Sequence, residues 1–201
     1  MSAPPVILAS GSAARTRMLT DAGVPFTVEH PRTDEAAAKA GLRAEAAELA
    51  DSAVILADLK ARSVARRHPD ALVIGGDQVL DCGGDWLDKP ADRAAARTQL
   101  QALRTAGTHR LISGAVIVRG TERLWQHVDS ASLAVRPFTD AFLDDYLAAV
   151  GDAVLHSVGA YHLEGRGAQL FSRVRGDFFT VLGLPLLPLL DNLRQHGVLP
   201  Q

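Results

Sequence analysis

The alternation of short apolar runs with stretches of helical spacing constrains the fold of this chain more than any other feature. The first apolar run, VILA at residues 6–9, is too short for a stable helix and predicts a buried strand. Small polar residues interrupt it at 10–12, and residues 13–22 then predict a helix that ends at Gly23. Residues 72–80 predict a second buried strand. Strands that alternate with helices indicate an α/β or mixed α+β protein.

The rest of the chain continues this pattern. Gly83 and Gly84 predict a tight hairpin turn, and Asp92 and Thr139 are typical caps at the start of a helix. The further predicted elements are strands at 26–28, 86–87, 110–119 and 124–135 and helices at 42–67, 92–103, 139–150 and 184–194. No repeat, heptad pattern or low-complexity linker divides the sequence. We therefore predict one domain that spans residues 1–201.

Composition excludes several kinds of partner. Apolar residues make up 47% and charged residues 22%, which is the balance of a soluble globular protein. The formal net charge of -2 predicts neither nucleic acid nor a membrane as partner, because both favour basic surfaces. The single cysteine, Cys82, cannot form an internal disulfide. The amino terminus lacks the pattern of a secretion signal, and no apolar run approaches the roughly 20 residues that span a bilayer. We expect a cytoplasmic protein.

A possible phosphate site follows the first predicted strand. A strand that breaks at small residues and opens a helix presents free backbone N–H groups at the positive end of the helix dipole. Ser10, Ser12 and Arg15 could add contacts to a phosphate held there. The alternative is an ordinary turn that binds nothing.

A possible catalytic acid follows the second buried strand. Asp77 comes directly after a run of buried apolar residues, at a strand end where α/β proteins gather ligands. A carboxylate there can bind a divalent metal or orient a water molecule for attack. The alternative is a turn residue that accepts a local backbone hydrogen bond.

The chain uses lysine rarely, with three lysines against eighteen arginines. Lys60 falls on the apolar stripe of the predicted helix 42–67 and should face inward, where a compact ammonium group suits phosphate. The alternative is a lysine whose stem covers apolar surface while its charge reaches water. Lys89 precedes Pro90 in what is, in isolation, an ordinary loop. We assign Lys39 no role.

Together, and in this order, the segments resemble the Maf family. The matching segments are VILASGS at 6–12, VIGGDQ at 73–78, DKP at 88–90, GRGA at 165–168, GDF at 176–178 and VLGLPL at 181–186. The resemblance implies a mixed α/β fold related to inosine triphosphate pyrophosphatases, with a central mixed sheet and two lobes around a cleft. It also implies a homodimer that cleaves nucleoside triphosphates between the α- and β-phosphates with Mg²⁺ or Mn²⁺.

The resemblance assigns roles to individual residues. It implies that Asp77 and Glu35 hold the metal and that Asp77 is the general base, although a metal-bound water can dispense with a protein base. The implied catalytic residues are Asp77, Glu35, Lys60 and Lys89, and the phosphate-binding residues are Ser10, Ser12, Arg15 and Arg166.

Three positions bear on the choice of substrate. Many family members carry arginine where this chain has Ala14, and the branch that acts on dTTP and UTP carries threonine and glutamine where this chain has Gln78 and Glu164. The branch similar to 7-methyl-GTP pyrophosphatases also lacks that arginine and has glutamine and glutamate at the other two positions. The Glu164 carboxylate can accept both donors on the pairing edge of guanine, whereas uracil and thymine offer one. Trp86 or Tyr161 could stack on a base.

Two other functions remain open. Arg166 in Gly-Arg-Gly matches the branch that acts on dTTP and UTP, so a pyrimidine substrate is an alternative. The family has also been associated with septum formation, which makes a non-catalytic nucleotide-binding regulator a second alternative. The combination of Asp77 with matched lysines favours an enzyme over a regulator.

Overall fold

The computed structural model describes residues 3–201, so Met1 and Ser2 of the amino-terminal segment considered above lie outside the described residues. The strands are β1 (Val6–Ala9), β2 (Thr27–Val28), β3 (Leu72–Cys82), β4 (Asp85–Leu87), β5 (Thr108–Arg119), β6 (Glu122–Val135) and β7 (Phe171–Arg175). The helices are α1 (Ala13–Asp21), α2 (Glu35–Ala44), α3 (Leu49–Ala65), α4 (Arg93–Ala106), α5 (Asp140–Val150), α6 (Phe178–Val181) and α7 (Leu186–Gln195). The described residues contain no helix long and apolar enough to cross a membrane.

The strands form a seven-stranded mixed sheet, which confirms the predicted mixed α/β class. Its order is β2-β1-β3-β5-β6-β7, and β4 pairs with β3. β1 runs parallel to both β2 and β3, whereas β4 and β7 are antiparallel to their neighbours. Ala9 pairs with Gly75, so Ser10 and Asp77 both follow this pair within two residues. The parallel pairing therefore brings Ser10, just beyond the end of β1, and Asp77, in the middle of β3, to the same part of the sheet. The prediction that Asp77 lies at the end of its strand was wrong, because β3 continues to Cys82.

The described residues form two compact units. One comprises the described residues through Gln78 together with Ser113–Asp129 and Phe178–Gln201. The other comprises Val79–Ile112 and Ser130–Asp177. Strands β3, β5 and β6 each contribute residues to both units.

The first unit has apolar clusters on both faces of its strands. Ile74 of β3 packs in one cluster with Leu8 and Leu184, whereas its neighbour Val73 packs in the other with Ala57 and Val116. Successive side chains of a strand point to opposite faces, so β3 serves both clusters. A strand buried on both faces reads as a continuous apolar run, which is why residues 72–80 were recognisable from sequence.

Helix α3 lies close against the sheet because two glycines leave room for it. A Cβ atom at Gly75 would lie 2.2 Å from the backbone oxygen of Ala57, and one at Gly114 would lie 2.7 Å from the backbone of Ala53. Neither position tolerates a side chain without moving the helix backbone. Lys60, one turn beyond Ala57, is thereby brought to the same face of β3 as Asp77.

The prediction of one helix over 42–67 was wrong, because two helices occupy this region. Asp34 caps α2 by accepting a hydrogen bond from the backbone N–H of Ala37 at 2.9 Å. The chain then turns at Ala46, whose φ of 49° is left-handed, before α3 begins at Leu49. No glycine or proline marks this break, because an alanine adopts the conformation that usually selects glycine.

Most of the other elements confirm the sequence predictions. Gly83 and Gly84 form the hairpin turn with φ values of 66° and 97°, and Asp92 and Thr139 cap α4 and α5. Residues 159–183, for which no element was predicted, contain β7, α6 and short 3₁₀ segments. This region is rich in short elements whose pairing partners lie far away in sequence, so local periodicity does not reveal them.

A histidine is buried in the second unit. His109 is 2% exposed, and its Nε2 lies 2.6 Å from the Tyr161 hydroxyl. Its Nδ1 is buried, with no hydrogen-bond partner among the described residues. Burial lowers the pKa of His109 to about 4 and raises the pKa of Tyr161 well above its usual value. His109 is therefore neutral in the folded protein at neutral pH.

We expect His109 to make the fold sensitive to acid. A histidine whose pKa is about 4 when folded and near 6.5 when unfolded binds more protons in the unfolded state between these values. Its contribution is therefore fully present above pH 6.5 and falls by about 3 kcal/mol as the pH drops to 4. Urea unfolding of wild type and His109→Gln at pH 7, 5.5 and 4 measures this. The prediction fails if both proteins lose the same free energy of unfolding.

Candidate active site

Lys60 forms the centre of a charged cluster in the first unit. Its ammonium group lies 2.5 Å from Oδ1 of Asp77 and 2.8 Å from Oε2 of Glu35. Lys60 is 9% exposed and Asp77 is 5% exposed, so both charges are largely removed from water. The predicted inward orientation of Lys60 is confirmed. A buried lysine is stable here because it hydrogen-bonds two carboxylates at once.

Asp77 has one carboxylate oxygen with no internal partner. Its Oδ1 accepts the hydrogen bond from Lys60, but Oδ2 is buried and accepts no hydrogen bond from any described residue. Buried polar atoms nearly always have partners, so an exception calls for an explanation. A ligand, a water molecule or a metal ion would satisfy this oxygen.

Both oxygens of Glu35 contact ammonium groups. Lys60 contacts Oε2, and Lys39 contacts Oε1 at 2.9 Å. Burial alone would raise the pKa of Glu35, but the charges and hydrogen bonds of Lys60 and Lys39 outweigh it and lower the pKa to about 2. Glu35 is thus a carboxylate over the whole physiological range.

Lys39, to which we assigned no role from the sequence, contacts Glu35 in this cluster. Lys39 lies on α2 one turn after Glu35, and its side chain is only 17% exposed. The signal that could have found it is the Asp34-Glu35 pair, because an N-cap followed by an acidic first turn predicts a helix there. A helix beginning at Glu35 places Lys39 on the same face.

The segment predicted to bind phosphate lies at the start of α1. Ser10 is buried, and its Oγ accepts hydrogen bonds from the Ser12 N–H at 3.1 Å and from Nη1 of Arg15 at 3.4 Å. Ser12 caps the helix, its Oγ accepting from the backbone N–H of Arg15 at 3.4 Å. The first N–H groups of a helix have no intrahelical partner and carry partial positive charge. Ala14, in this first turn, presents no polar side chain to a ligand.

Arg15 is a buried cation without a carboxylate at ion-pair distance among the described residues. It is 8% exposed, and its Nε donates a hydrogen bond to the backbone oxygen of Gly183 at 2.7 Å. Burial lowers the pKa of Arg15, while the charges of Asp77 and Glu35 act in the opposite direction. A buried guanidinium held by backbone and serine contacts is suited to an anionic ligand.

Gln78 is held in one orientation. Its Nε2 lies 3.0 Å from Ser113 Oγ and from the backbone oxygens of Thr180 and Val181. Three acceptors around one nitrogen assign that atom as the amide donor, so Oε1 is left as an acceptor. Any ligand that Gln78 contacts through Oε1 must donate a hydrogen bond.

Three of the predicted site residues lie in the second unit. Lys89, Glu164 and Arg166 are all exposed there. Lys89 follows Asp88, whose backbone oxygen accepts a hydrogen bond from Nε2 of Gln99 at 2.8 Å. Their assignment to the site stays a prediction.

The two aromatic candidates for base stacking, also in the second unit, differ in exposure. Trp86 is half-buried. Tyr161 is 3% exposed, and its hydroxyl contacts His109 in the buried cluster described above. Tyr161 is therefore a core residue rather than a stacking surface, and only Trp86 remains a candidate.

The carboxylates can hold a metal only with help from a ligand. No group of three or more His, Cys, Asp or Glu side chains within residues 3–201 is arranged to bind a metal ion. Asp77 and Glu35 supply two carboxylates linked through Lys60. Mg²⁺ commonly uses one or two carboxylates and completes its six ligands with water and substrate phosphates. With the unpartnered Oδ2 of Asp77, this donor set fits such an ion.

The fold and the cluster define an α/β protein in which charged side chains of β3, α2 and α3 meet beside the sheet. A Maf-like protein family matches residues 5–196, and the chain belongs to this family. A protein of Paramagnetospirillum magneticum named nucleoside triphosphate pyrophosphatase is 57% identical over 193 residues, which are 96% of this chain and 99% of that protein. A protein of Rhizobium meliloti named 7-methyl-GTP pyrophosphatase is 47% identical over 196 residues, 98% of each chain.

A solved structure of a dITP/XTP pyrophosphatase from Mycobacterium abscessus also aligns with the chain. The alignment covers 65% of this chain and 72% of that one, at 17% identity and a TM-score of 0.35. At this level of similarity it adds nothing to the assignment.

Proposed function

We propose that the protein is a nucleoside triphosphate pyrophosphatase, which hydrolyses the bond between the α- and β-phosphates and releases diphosphate. Close relatives that share nearly the full length bear this name. The observation that carries the proposal is the cluster of Asp77, Lys60 and Glu35 near a buried arginine and a helix N-terminus. A binding protein that only sensed a nucleotide would have little use for a buried carboxylate with an unpartnered oxygen.

Asp77 and Glu35 are the residues that would hold a divalent ion, Mg²⁺ or Mn²⁺. When bound, the ion supplies neutralisation of phosphate charge and activation of a water molecule. Lys60 fixes both carboxylates through its two hydrogen bonds, so their relative position does not depend on the ion.

The remaining groups act in two events, the attack of water on the α-phosphorus and the departure of diphosphate. Oδ2 of Asp77 accepts a proton from the water whose oxygen forms the new bond to the α-phosphorus. The anhydride bond to the β-phosphate breaks, and diphosphate leaves with the electron pair. Ser10, Arg15 and the first-turn amides of α1 bind the phosphate oxygens and oppose their charge. Lys60 would add positive charge for the leaving group. The family resemblance implies a catalytic role for Lys89 and a phosphate-binding role for Arg166.

We propose 7-methyl-GTP, or a related modified guanine nucleotide, as the substrate. Relatives 47% and 46% identical are named 7-methyl-GTP pyrophosphatases. The Glu164 carboxylate can accept both donors of a guanine edge. Separately, the fixed Oε1 of Gln78 is an acceptor, so a ligand group that contacts it must be a donor. The alternative is dTTP or UTP, which Arg166 favours through its match to the pyrimidine branch.

A panel of nucleotides tests both levels of this proposal. Diphosphate release is measured with Mg²⁺ or Mn²⁺ from 7-methyl-GTP, GTP, UTP, dTTP, CTP and ITP. We expect kcat/KM for 7-methyl-GTP to exceed that for UTP and dTTP by about 100-fold, since unpaired polar groups penalise the wrong base. A preference for UTP or dTTP would keep the activity and reject the substrate. No metal-dependent turnover on any nucleotide would favour the regulator of septum formation instead.

Two expectations from the family resemblance accompany the proposal. We propose that the protein acts as a homodimer, which sedimentation at equilibrium would detect. We also propose a cytoplasmic location, in keeping with a substrate drawn from the nucleotide pool.

A further inference from the structure

Lys39 differs from an ordinary surface lysine. Pairs one turn apart on a helix are usually exposed and contribute little. The Lys39 side chain is 17% exposed, less than the 38% of its partner Glu35. The Lys39 side chain therefore packs within the charged cluster and does not extend into solvent.

The four charged groups alternate in sign along the cluster. Lys39 contacts Glu35, Glu35 contacts Lys60, and Lys60 contacts Asp77. Their formal charges cancel, and each oxygen of Glu35 already accepts from an ammonium group. Of the four carboxylate oxygens in the cluster, Oδ2 of Asp77 is the one that lacks a partner among the described residues. A divalent ion that approached Glu35 would therefore meet two positive charges at hydrogen-bond distance from its ligand.

We infer that Lys39 is a positioning residue that makes divalent-ion binding at Asp77 and Glu35 depend on the triphosphate. Repulsion by the two ammonium groups weakens binding of the ion alone. The negative charge of a triphosphate offsets that repulsion and supplies the ligands that two carboxylates cannot. The inference rests on the proposed function, and it adds that metal and nucleotide bind with positive coupling.

Coupling of this kind is reciprocal. If the triphosphate raises the affinity for the ion, the ion raises the affinity for the triphosphate by the same factor. Removal of Lys39 lowers the repulsion, so the ion binds more tightly without the triphosphate. The triphosphate then raises the affinity for the ion by a smaller factor. A merely structural lysine would change neither quantity.

The test measures Mn²⁺ binding by the electron paramagnetic resonance signal of the free ion. Wild type, Lys39→Met and Lys39→Arg are titrated alone and with an α,β-methylene analogue of GTP, and binding of Mn²⁺ to the analogue is subtracted. We expect Lys39→Met to bind Mn²⁺ alone about tenfold more tightly than wild type, with a correspondingly smaller effect of the analogue. Lys39→Arg keeps the charge and should resemble wild type. Arg194→Met, which removes a cation paired with Asp191, is the control for net charge.

Each result decides the inference. An unchanged or weaker Mn²⁺ affinity in Lys39→Met would overturn it, as would an equal gain in Arg194→Met. If wild type hydrolyses nucleotides while Lys39→Met behaves like wild type in the titration, the inference fails and the proposed function stands. If wild type neither hydrolyses nucleotides nor binds Mn²⁺ with the analogue, both fail. Thermal unfolding of each variant shows that the comparison is between folded proteins.

Discussion

Asp77→Asn should lower kcat for diphosphate release by about 10³-fold or more while leaving the protein folded. Asparagine has nearly the same volume, and its amide oxygen can still accept the hydrogen bond from Lys60. It places an NH₂ group where Oδ2 lies now, which can neither accept a proton nor bind a cation. Activity should therefore fall much more than nucleotide binding does. Steady-state kinetics and binding of the methylene analogue measure the two effects separately.

Asp81 provides a matched control for this prediction. It lies on the same strand and is 8% exposed, but it pairs with Arg110 at 2.6 Å instead of with a lysine of the cluster. Asp81→Asn should lower stability through the loss of that pair and change kcat by less than about threefold. Equal losses of activity in the two variants would indicate that Asp77 acts through the fold, and the catalytic assignment would be wrong.

Several parts of the fold could be predicted because their signals are local. Strand β1 is an apolar run of the right length, Asp92 and Thr139 are recognisable caps, and Gly83 and Gly84 mark a hairpin turn. Lys60 could be oriented because helical spacing alone places it on an apolar stripe. In each case the physical cause lies within a few residues of the feature.

Other parts could not be predicted because their causes are distant or atypical. Arg15 is held by the backbone oxygen of Gly183, a contact across 168 positions that no local pattern encodes. The break between α2 and α3 depends on a left-handed Ala46, and alanine rarely signals a break. Lys39 differs from these two cases, because it was missed only when the local helix-start signal at Asp34 and Glu35 was not recognised. The two-carboxylate, two-lysine cluster is therefore a product of tertiary structure, although three of its four members, Asp77, Glu35 and Lys60, were named from the family resemblance.

Lys60→Met should destabilise the fold by about 3 kcal/mol and lower kcat/KM by at least about 100-fold. Methionine keeps much of the stem volume on the apolar face of α3. The loss of the ammonium group leaves Oδ1 of Asp77 without its partner, so a buried carboxylate loses both its hydrogen bond and the cation in direct contact with it. Urea unfolding at neutral pH measures the first effect, and diphosphate release measures the second.

The double variant Lys60→Met/Asp77→Asn separates charge from packing. Removing one member of a buried ion pair is costly mainly because the other charge stays buried, so neutralising Asp77 as well should restore a large part of the lost stability. Activity should not return, because both groups are required for the reaction. If the double variant is as unstable as the sum of the single variants, the cost arises from packing against α3 rather than from the uncompensated carboxylate. In that case the contribution of Lys60 to the free energy of unfolding would come from the packing of its side chain. Only the kinetic measurements would then support the electrostatic role proposed for Lys60.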